Sequence, residues 1–450
     1  MVKPAALDRC IGLLEATATN VLAMIGVGPF LTIPFMIAAM GGPHIVYGWL
    51  AGGILALCDG LVYAQLGAAL PGSGGPYVYL REAYRPFGLA RFASFLIIFQ
   101  VTLVAPLSIA GGAVGFADYL GLYWSTMTAL QHNLVAAAVC VAMTSLLFRH
   151  IEAVGRLSVV MLAVVALTVG WVIVAGLFSF SWSRAFTFPP EAYRVDRSLL
   201  ARIGTVSLLA MYNYGGYNNI CNIGEEVRLP ERTLPRAIIL SIVIVVALYL
   251  VMSTVILGMV PWQEAEQTRT IASLFIARTF SDPARGRAAA IAMTALILFV
   301  TAASLYALIL GYSRVVFAAA REGQFFGIFA RVHPTKHFPH IAVAAIGAAA
   351  IPFCFFSLGQ LVSWLILVQI LLQFTWQCAG VILLRHRRPD IPQPFTMWLY
   401  PLPALVALAM WVYVFVSAPR EGIVFAFGCL VVAVVAYAVF SRRQGWPEGP

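Results

Sequence analysis

Apolar stretches follow one another along nearly the whole chain, separated by short polar segments rich in proline, glycine and arginine. A helix needs about 20 apolar residues to cross a bilayer core. Twelve candidate spans can be drawn, at 11–40, 43–69, 88–118, 127–148, 151–178, 199–222, 236–260, 287–318, 340–356, 360–384, 399–417 and 422–440. The loops are short and no stretch reads as a separate soluble domain. The pattern predicts an all-α polytopic membrane protein, with residues 1–450 forming one transmembrane domain.

Two spans are interrupted. Span 1 reads MIGVGPFLTIPF, with Gly26, Gly28, Pro29 and Pro34 inside an apolar run. Span 6 reads MYNYGGYNN, with Gly215 and Gly216 at its middle. In hydrocarbon each unpaired backbone group costs several kcal/mol, so a break persists only where something uses the freed groups. Two breaks five spans apart predict two five-helix inverted repeats, 11–180 and 199–385, with 399–441 as two peripheral helices. Half-helix N-termini suit a carboxylate, and half-helix C-termini suit an ammonium or a metal cation. An α-amino acid carries both charges on one carbon. Gly and Pro also mark packing kinks in membrane helices. The pairing of the breaks, and Asn213, Asn218 and Asn219 beside the second, favour a binding site.

Composition agrees with this reading. The chain is 61% hydrophobic and 10% charged, which excludes an ordinary soluble protein. The net charge of +10 points to the positive-inside rule rather than to nucleic acid. With the N-terminus inside, most of the basic residues fall on the cytoplasmic side, giving a plasma- or inner-membrane protein with both termini cytoplasmic. Two outer loops run against this trend, one with Arg184, Arg194, Arg197 and Arg202, the other with Arg269, Arg278, Arg285 and Arg287. Cys10, Cys58, Cys140, Cys221, Cys354, Cys378 and Cys429 lack metal-ligand spacing and read as small hydrophobes. Residues 1–9 do not resemble a cleavable signal peptide. No Walker loop, HExxH or paired CxxC is present, so neither an enzyme nor a bound cofactor or metal is expected. A coupling H+ or Na+ remains open.

Polar residues inside spans are functional candidates by default. Asp59 lies eleven residues before the end of span 2 at Leu70, about 16 Å along the helix and so close to the midplane. It reads as a proton site or as a hydrogen-bonded structural carboxylate. Thr301 and Ser304 share a face of span 8 and are candidates for a sodium site, against the ordinary bond from hydroxyl to the i−4 carbonyl. Gln369, Gln373 and Gln377 form a stripe on span 10, either lining an outer vestibule or bonding between helices. Gln100, Thr102 and Ser108 are more scattered on span 3. Glu225 and Glu226 end span 6, and charge pairs with Arg81, Arg85 or Arg91 would latch the inner side.

Five collinear blocks carry a family resemblance. IGVGPF in span 1 resembles the G-small-G motif of the amino acid–polyamine–organocation superfamily. YAQLGAALPGSGGPYVYLREAY (63–84), YNYGGYNNICNIGEEVRLPERTLPRAI (212–238), SRVVFAAAREG (313–323) and RHRRPDIPQPF (385–395) are similar to its later signatures. The span 6 block is most similar to bacterial relatives of L-type amino-acid transporters. The resemblance implies a LeuT-type 5+5 fold and alternating access of an amino acid, with a neutral one favoured. It also implies that Ile25, Gly26, Val27 and Gly28 present backbone to the substrate carboxylate and that Tyr212 is an aromatic gate. Asn213 and Gly215, Gly216, Tyr217 and Asn218 would form the unwound segment and its lining. Val27 stands where the family usually has serine, Gln65 where many members have Glu, and Ser158 or Val159 where some carry a coupling lysine. The outer loop after span 3 has no cysteine, so no disulfide-linked heavy subunit is expected. A polyamine or other amine transporter, or an amino-acid sensor on the same fold, are the alternatives.

Overall fold

A computed structural model describes residues 9, 11–25, 28–72, 74–149, 154–178, 180–193, 195–321, 323–334 and 338–443. Gly26, Val27 and Cys10 lie outside them, and so do the side chains of Ser158 and Val159. Among the described residues the chain is helical, and its one β-bridge pairs Ile11 with Val227 in parallel.

The first span is two helices, α1 (Leu13–Met24) and α2 (Gly28–Met40), bent by 51° at the break. Next come α3 (Val46–Ala69), a short α4 (Pro76–Tyr84), α5 (Ala90–Leu120), α6 (Ala129–Arg149) and α7 (Val154–Leu177). After the short α8 (Trp182–Phe186) come α9 (Arg197–Tyr214) and α10 (Pro230–Met259). Two short helices, α11 (Trp262–Ala265) and α12 (Ile271–Arg278), precede the 39-residue α13 (Pro283–Arg321). The chain closes with α14 (His340–Ala350), α15 (Leu358–Gln369), α16 (Thr375–Arg387), α17 (Leu402–Ser417) and α18 (Arg420–Arg443). A π-turn over Ile370–Phe374 joins α15 and α16 into one rod. Seven of these elements are long and apolar enough to cross a membrane, or eight with the bent pair counted as one span.

The second break departs from expectation. The apolar pattern predicts span 6 over 199–222, interrupted at Gly215 and Gly216. Instead α9 ends at Tyr214, and two 3-10 turns follow at Asn219–Asn222 and Gly224–Glu226. The local sequence explains this. Asn218, Asn219 and Asn222 carry side chains that compete for backbone hydrogen bonds, and Gly215, Gly216 and Gly224 weaken helix further.

α3 lies at the centre, against α9, α10 and α17. Small residues permit the close approach: a Cβ on Gly52 would meet that of Ala210 at 2.8 Å. Trp49 and Tyr63 on α3, and Tyr214, Tyr249 and Trp411 around it, are fully buried.

Four of the arginines expected on the outer side have structural work. Arg184 donates to the Met259 carbonyl at 2.6 Å, and Arg202 to that of Met40 at 3.1 Å. Each caps the C-terminal end of a helix, where a cation is favoured. Arg269 pairs with Asp118 at 3.1 Å, and Arg278 with Glu264.

Candidate functional site

The two breaks meet. Helix α1 ends where Ile25, extended at φ −83° and ψ 113°, turns its N–H back to the Val21 carbonyl at 2.8 Å. The Met24 carbonyl accepts the Tyr249 hydroxyl at 2.7 Å. On the facing segment Gly216 takes φ +114°, a conformation that side chains disfavour. Its Cα lies against the Ala23 backbone so closely that a Cβ would stand 2.8 Å from the Ala23 carbonyl carbon. The Asn20 side-chain oxygen, fully buried on α1, accepts the Ile220 amide at 2.9 Å. Helix α1 and the turn after span 6 are therefore held by main chain as much as by side chains.

Helix α2 starts at Gly28, and Pro29 has no N–H to offer. Asn213 packs against this start: a Cβ on Gly28 would be 2.6 Å from its Oδ1 and 3.7 Å from the Tyr212 ring. The Asn213 amide nitrogen donates to the Thr32 hydroxyl at 2.8 Å and to the Leu209 carbonyl at 2.7 Å. Its Oδ1 is buried without a partner among the described residues. A buried acceptor left unpaired costs about 1–3 kcal/mol, so this oxygen marks a place where a donor is wanted. Tyr212 is half-buried beside it. Tyr312 on α13 faces Tyr212, and its hydroxyl interacts with Ser108 on α5. Gly28, Tyr212, Asn213, Tyr312 and Ser108 thus converge from four spans.

Asp59 is wholly buried on α3 and accepts three donors. They are the Tyr217 hydroxyl at 2.5 Å, the Trp411 indole N–H at 3.0 Å and the Cys378 thiol at 3.7 Å. Tyr217 belongs to the span 6 break, so the acidic residue grips the unwound turn directly. The Tyr63 ring meets that of Tyr217 edge-on at 5.9 Å, and the Tyr63 hydroxyl accepts Gln373 at 2.5 Å.

A cavity of about 60 Å³ lies beside this cluster. Gly215, Gly216, Tyr217 and Asn218 form one wall, Gln369, Gln373 and Phe374 another, and Trp411 a third. Gln369 and Gln373 therefore face a cavity at the π-turn, while Gln377 is buried further along. Bulges of this kind recur at functional sites.

Thr301 donates its hydroxyl to the Ile297 carbonyl at 2.7 Å, the ordinary helical bond. Ser304 lies one turn on and is half-buried.

The charges expected on the inner side pair differently from expectation. Arg81 and Arg85 turn to Glu82, at 3.1 and 3.7 Å, because they are its near neighbours in the chain, one beside it on α4 and one just after the end of that helix. Glu82 then reaches Arg388 at 2.9 Å, and Arg388 holds Asp390 at 2.7 Å. Burial alone would raise the Glu82 carboxyl, but hydrogen bonds from Arg388 and Arg81 outweigh it and hold it below the usual glutamate range. Glu225 is exposed near Gly72. Glu226 acts through its backbone: its carbonyl accepts the Ile11 amide at 3.0 Å, and the Ile11 carbonyl accepts Arg228 N–H at 2.9 Å.

Asn20, Thr32 and Tyr312 escaped the sequence reading. Asn20 is the one with a signal, an amide inside the apolar run of span 1. Among the described residues no cluster of His, Cys, Asp and Glu suits a metal ion.

Residues 11–439 match the family model for amino acid permeases. The chain belongs to that family. It is a family of membrane transporters, within the amino acid–polyamine–organocation superfamily, and not of enzymes; the protein is thus a multi-pass membrane protein. The chain is 25% identical to cationic amino acid transporter 4 of Mus musculus, over 86% of the chain and 61% of that protein, so it spans less than two thirds of that relative. It is 24% identical to the methylthioribose transporter of Bacillus subtilis, over 98% of the chain and 95% of the relative. It is 23% identical to the branched-chain amino acid permease BcaP of the same organism, over 97% and 94%.

Proposed function

We propose that this permease moves a neutral amino acid across the plasma or inner membrane by alternating access. The observation that carries the reading is the meeting of the two breaks, with the unpaired Asn213 Oδ1 between Tyr212 and the start of α2. The α2 N-terminus offers amides to the α-carboxylate, and the Asn213 oxygen accepts from the α-ammonium. Ile25, Gly26, Val27 and Gly28 supply backbone, Tyr212 covers the site, and Gly215, Gly216, Tyr217 and Asn218 form its flexible wall. No fixed charge stands among Gly28, Tyr212, Asn213, Tyr312 and Ser108 to match a charged side chain. The nearby carboxylate, Asp59, is engaged by three donors.

The bent pair, α9 and the shorter apolar helices Ala163–Leu177, His340–Phe355 and Leu402–Ser417 complete twelve crossings in this reading. Spans 1–5 and 6–10 form the inverted repeats of a LeuT-type fold, and both termini are cytoplasmic. The partners are the amino acid and membrane lipid, with no heavy subunit and no nucleic acid. Similarity over nearly its whole length to a branched-chain amino acid permease favours an apolar side chain. Equal similarity to a methylthioribose transporter supports a second reading, an uncharged thio-sugar.

Counterflow in proteoliposomes tests both. Vesicles are loaded with unlabelled neutral amino acids or methylthioribose, and the labelled solute is added outside. Label accumulating only with branched-chain or other neutral amino acids supports the first reading. Accumulation only with methylthioribose supports the second, and accumulation only with arginine, lysine or a polyamine overturns both.

A further inference from the structure

The main site leaves a fully buried carboxylate, that of Asp59, unused. Asp59 receives donors from three separate elements: Tyr217 from the break of span 6, Cys378 from α16 and Trp411 from α17. Indole N–H can only donate, and at 2.5 Å the tyrosine bond has the length of a charge-assisted O–H···O⁻ contact. The arrangement is built around an ionised carboxylate, yet among the described residues no cation faces it. The titratable groups around it are Cys58 and Tyr63 on its own helix, Tyr217 and Cys378. On α10, Ile238 and Ile242 pack against Gly60, and no titratable side chain lies between Arg236 and Tyr249. On α9 the nearest is Tyr214, whose hydroxyl is given to the Trp49 carbonyl at 3.1 Å. A midplane anion without a counter-charge is unstable unless it can take up a proton.

The cavity offers a route. Two of the three donors, Tyr217 and Trp411, form part of its wall together with Asn218, Gln369 and Gln373. Its volume of about 60 Å³ exceeds the roughly 10–15 Å³ that one water needs, and its amides supply polar partners.

We infer that Asp59 binds the proton that couples transport, and that its protonation releases Tyr217 and with it the unwound turn of span 6. Ionised Asp59 holds Tyr217 by a charge-assisted bond. A proton on the carboxylate turns that bond into a neutral one of about half the strength. Tyr217 is next to Gly216, whose backbone packs on Ala23, so loosening the first disturbs the contact between the two breaks. The proton and the substrate then bias one and the same element, which is what linkage between them requires. This inference deepens the permease reading and depends on it for the word transport, but not for the titration itself.

Two measurements separate the cases. Infrared difference spectra of the purified protein between high and low pH need no substrate. The wild-type spectrum is expected to contain a protonated-carboxyl component, over those of the other carboxylates, that Asp59→Asn lacks and that Tyr217→Phe shifts in midpoint pH. A carboxyl difference spectrum unchanged in Asp59→Asn overturns the inference whatever the substrate is. In proteoliposomes, Asp59→Asn is expected to keep counterflow within a few-fold of wild type while uptake driven by a pH gradient falls to the level of empty vesicles. Gradient-driven uptake that survives in Asp59→Asn, or a wild type that shows counterflow but ignores the gradient, also overturns it. Absence of counterflow from the wild type with every solute counts against the permease reading alone, and the infrared result then decides this one.

Discussion

Gly216 and Ala23 touch through their backbones, at the point where the broken halves of spans 1 and 6 pass each other. A methyl on Gly216 would lie 2.8–2.9 Å from the Ala23 carbonyl carbon, Cβ and carbonyl oxygen. None of these is the end of a flexible side chain, so the helix itself would have to move. The φ of +114° adds about 1–3 kcal/mol of strain for any L side chain. Gly216→Ala is therefore expected to lower counterflow at least tenfold. Gly215→Ala, at φ −55°, faces only the carbonyls of its own helix and is expected to lose much less. Equal losses in the two variants, with equal folded yield, would show that the close contact does not matter.

Asn213 and Gly28 test the substrate site. A Cβ on Gly28 would be 2.6 Å from the Asn213 Oδ1, the far end of a side chain that two donor bonds hold in place. Gly28→Ala therefore forces Asn213 away from Thr32, and Asn213→Ala removes the obstacle. The two substitutions are expected to be non-additive, with a coupling of about 0.5–3 kcal/mol in substrate affinity. Thr32→Val should mimic part of the loss by removing one anchor. Additive effects in a binding titration of the double-mutant set would separate the two residues.

The breaks were legible in the sequence because Gly and Pro weaken helix wherever they stand, whatever packs around them. Asp59 was legible because one acid in an apolar run has few places to go. Its partners were not: Tyr217, Cys378 and Trp411 come from positions up to 352 residues away, and nothing local specifies that meeting. The failure of span 6 to resume as helix turned on asparagines, whose side chains compete with the backbone, and an apolar count does not weigh that. The inner charges went astray for the opposite reason. Arg81 and Arg85 had an acid within three residues, and proximity along the chain decided the pairing over proximity between loops.

The bridge between Ile11 and Val227 ties the entry to α1 to the segment after span 6. It consists of main-chain bonds, Ile11 N–H to Glu226 and Arg228 N–H to Ile11, so side-chain substitutions should barely touch it. Ile11→Pro removes one donor, while Ile11→Val keeps both bonds. If the bridge holds the inner ends together, amide exchange over residues 224–229 should speed up several-fold in the proline variant and stay at wild-type rates with valine. Unchanged exchange in Ile11→Pro would mean that the bridge carries no closing force.

Glu82 gives an inner contact with a definite dependence on pH. Burial opposes its charge, but the bonds from Arg388 and Arg81 prevail and lower its pKa in the folded protein. A depressed carboxyl stabilises the fold above its unfolded pKa, and the contribution fades as pH falls through the folded value. The contact between α4 and Arg388 should thus be intact at neutral pH and weaken only below the ordinary glutamate range of about 4.3. Glu82→Gln keeps the shape and removes the charge. Because the Arg388 side chain is 19% exposed and that of Glu82 12%, the pair lies between a surface and a buried bridge. A loss of about 1 kcal/mol at neutral pH is expected, near the upper end for exposed pairs. Melting temperatures of the detergent-solubilised wild type and Glu82→Gln should differ at pH 7 and converge towards pH 3. A difference that stays constant across that range would assign the loss to packing rather than to charge.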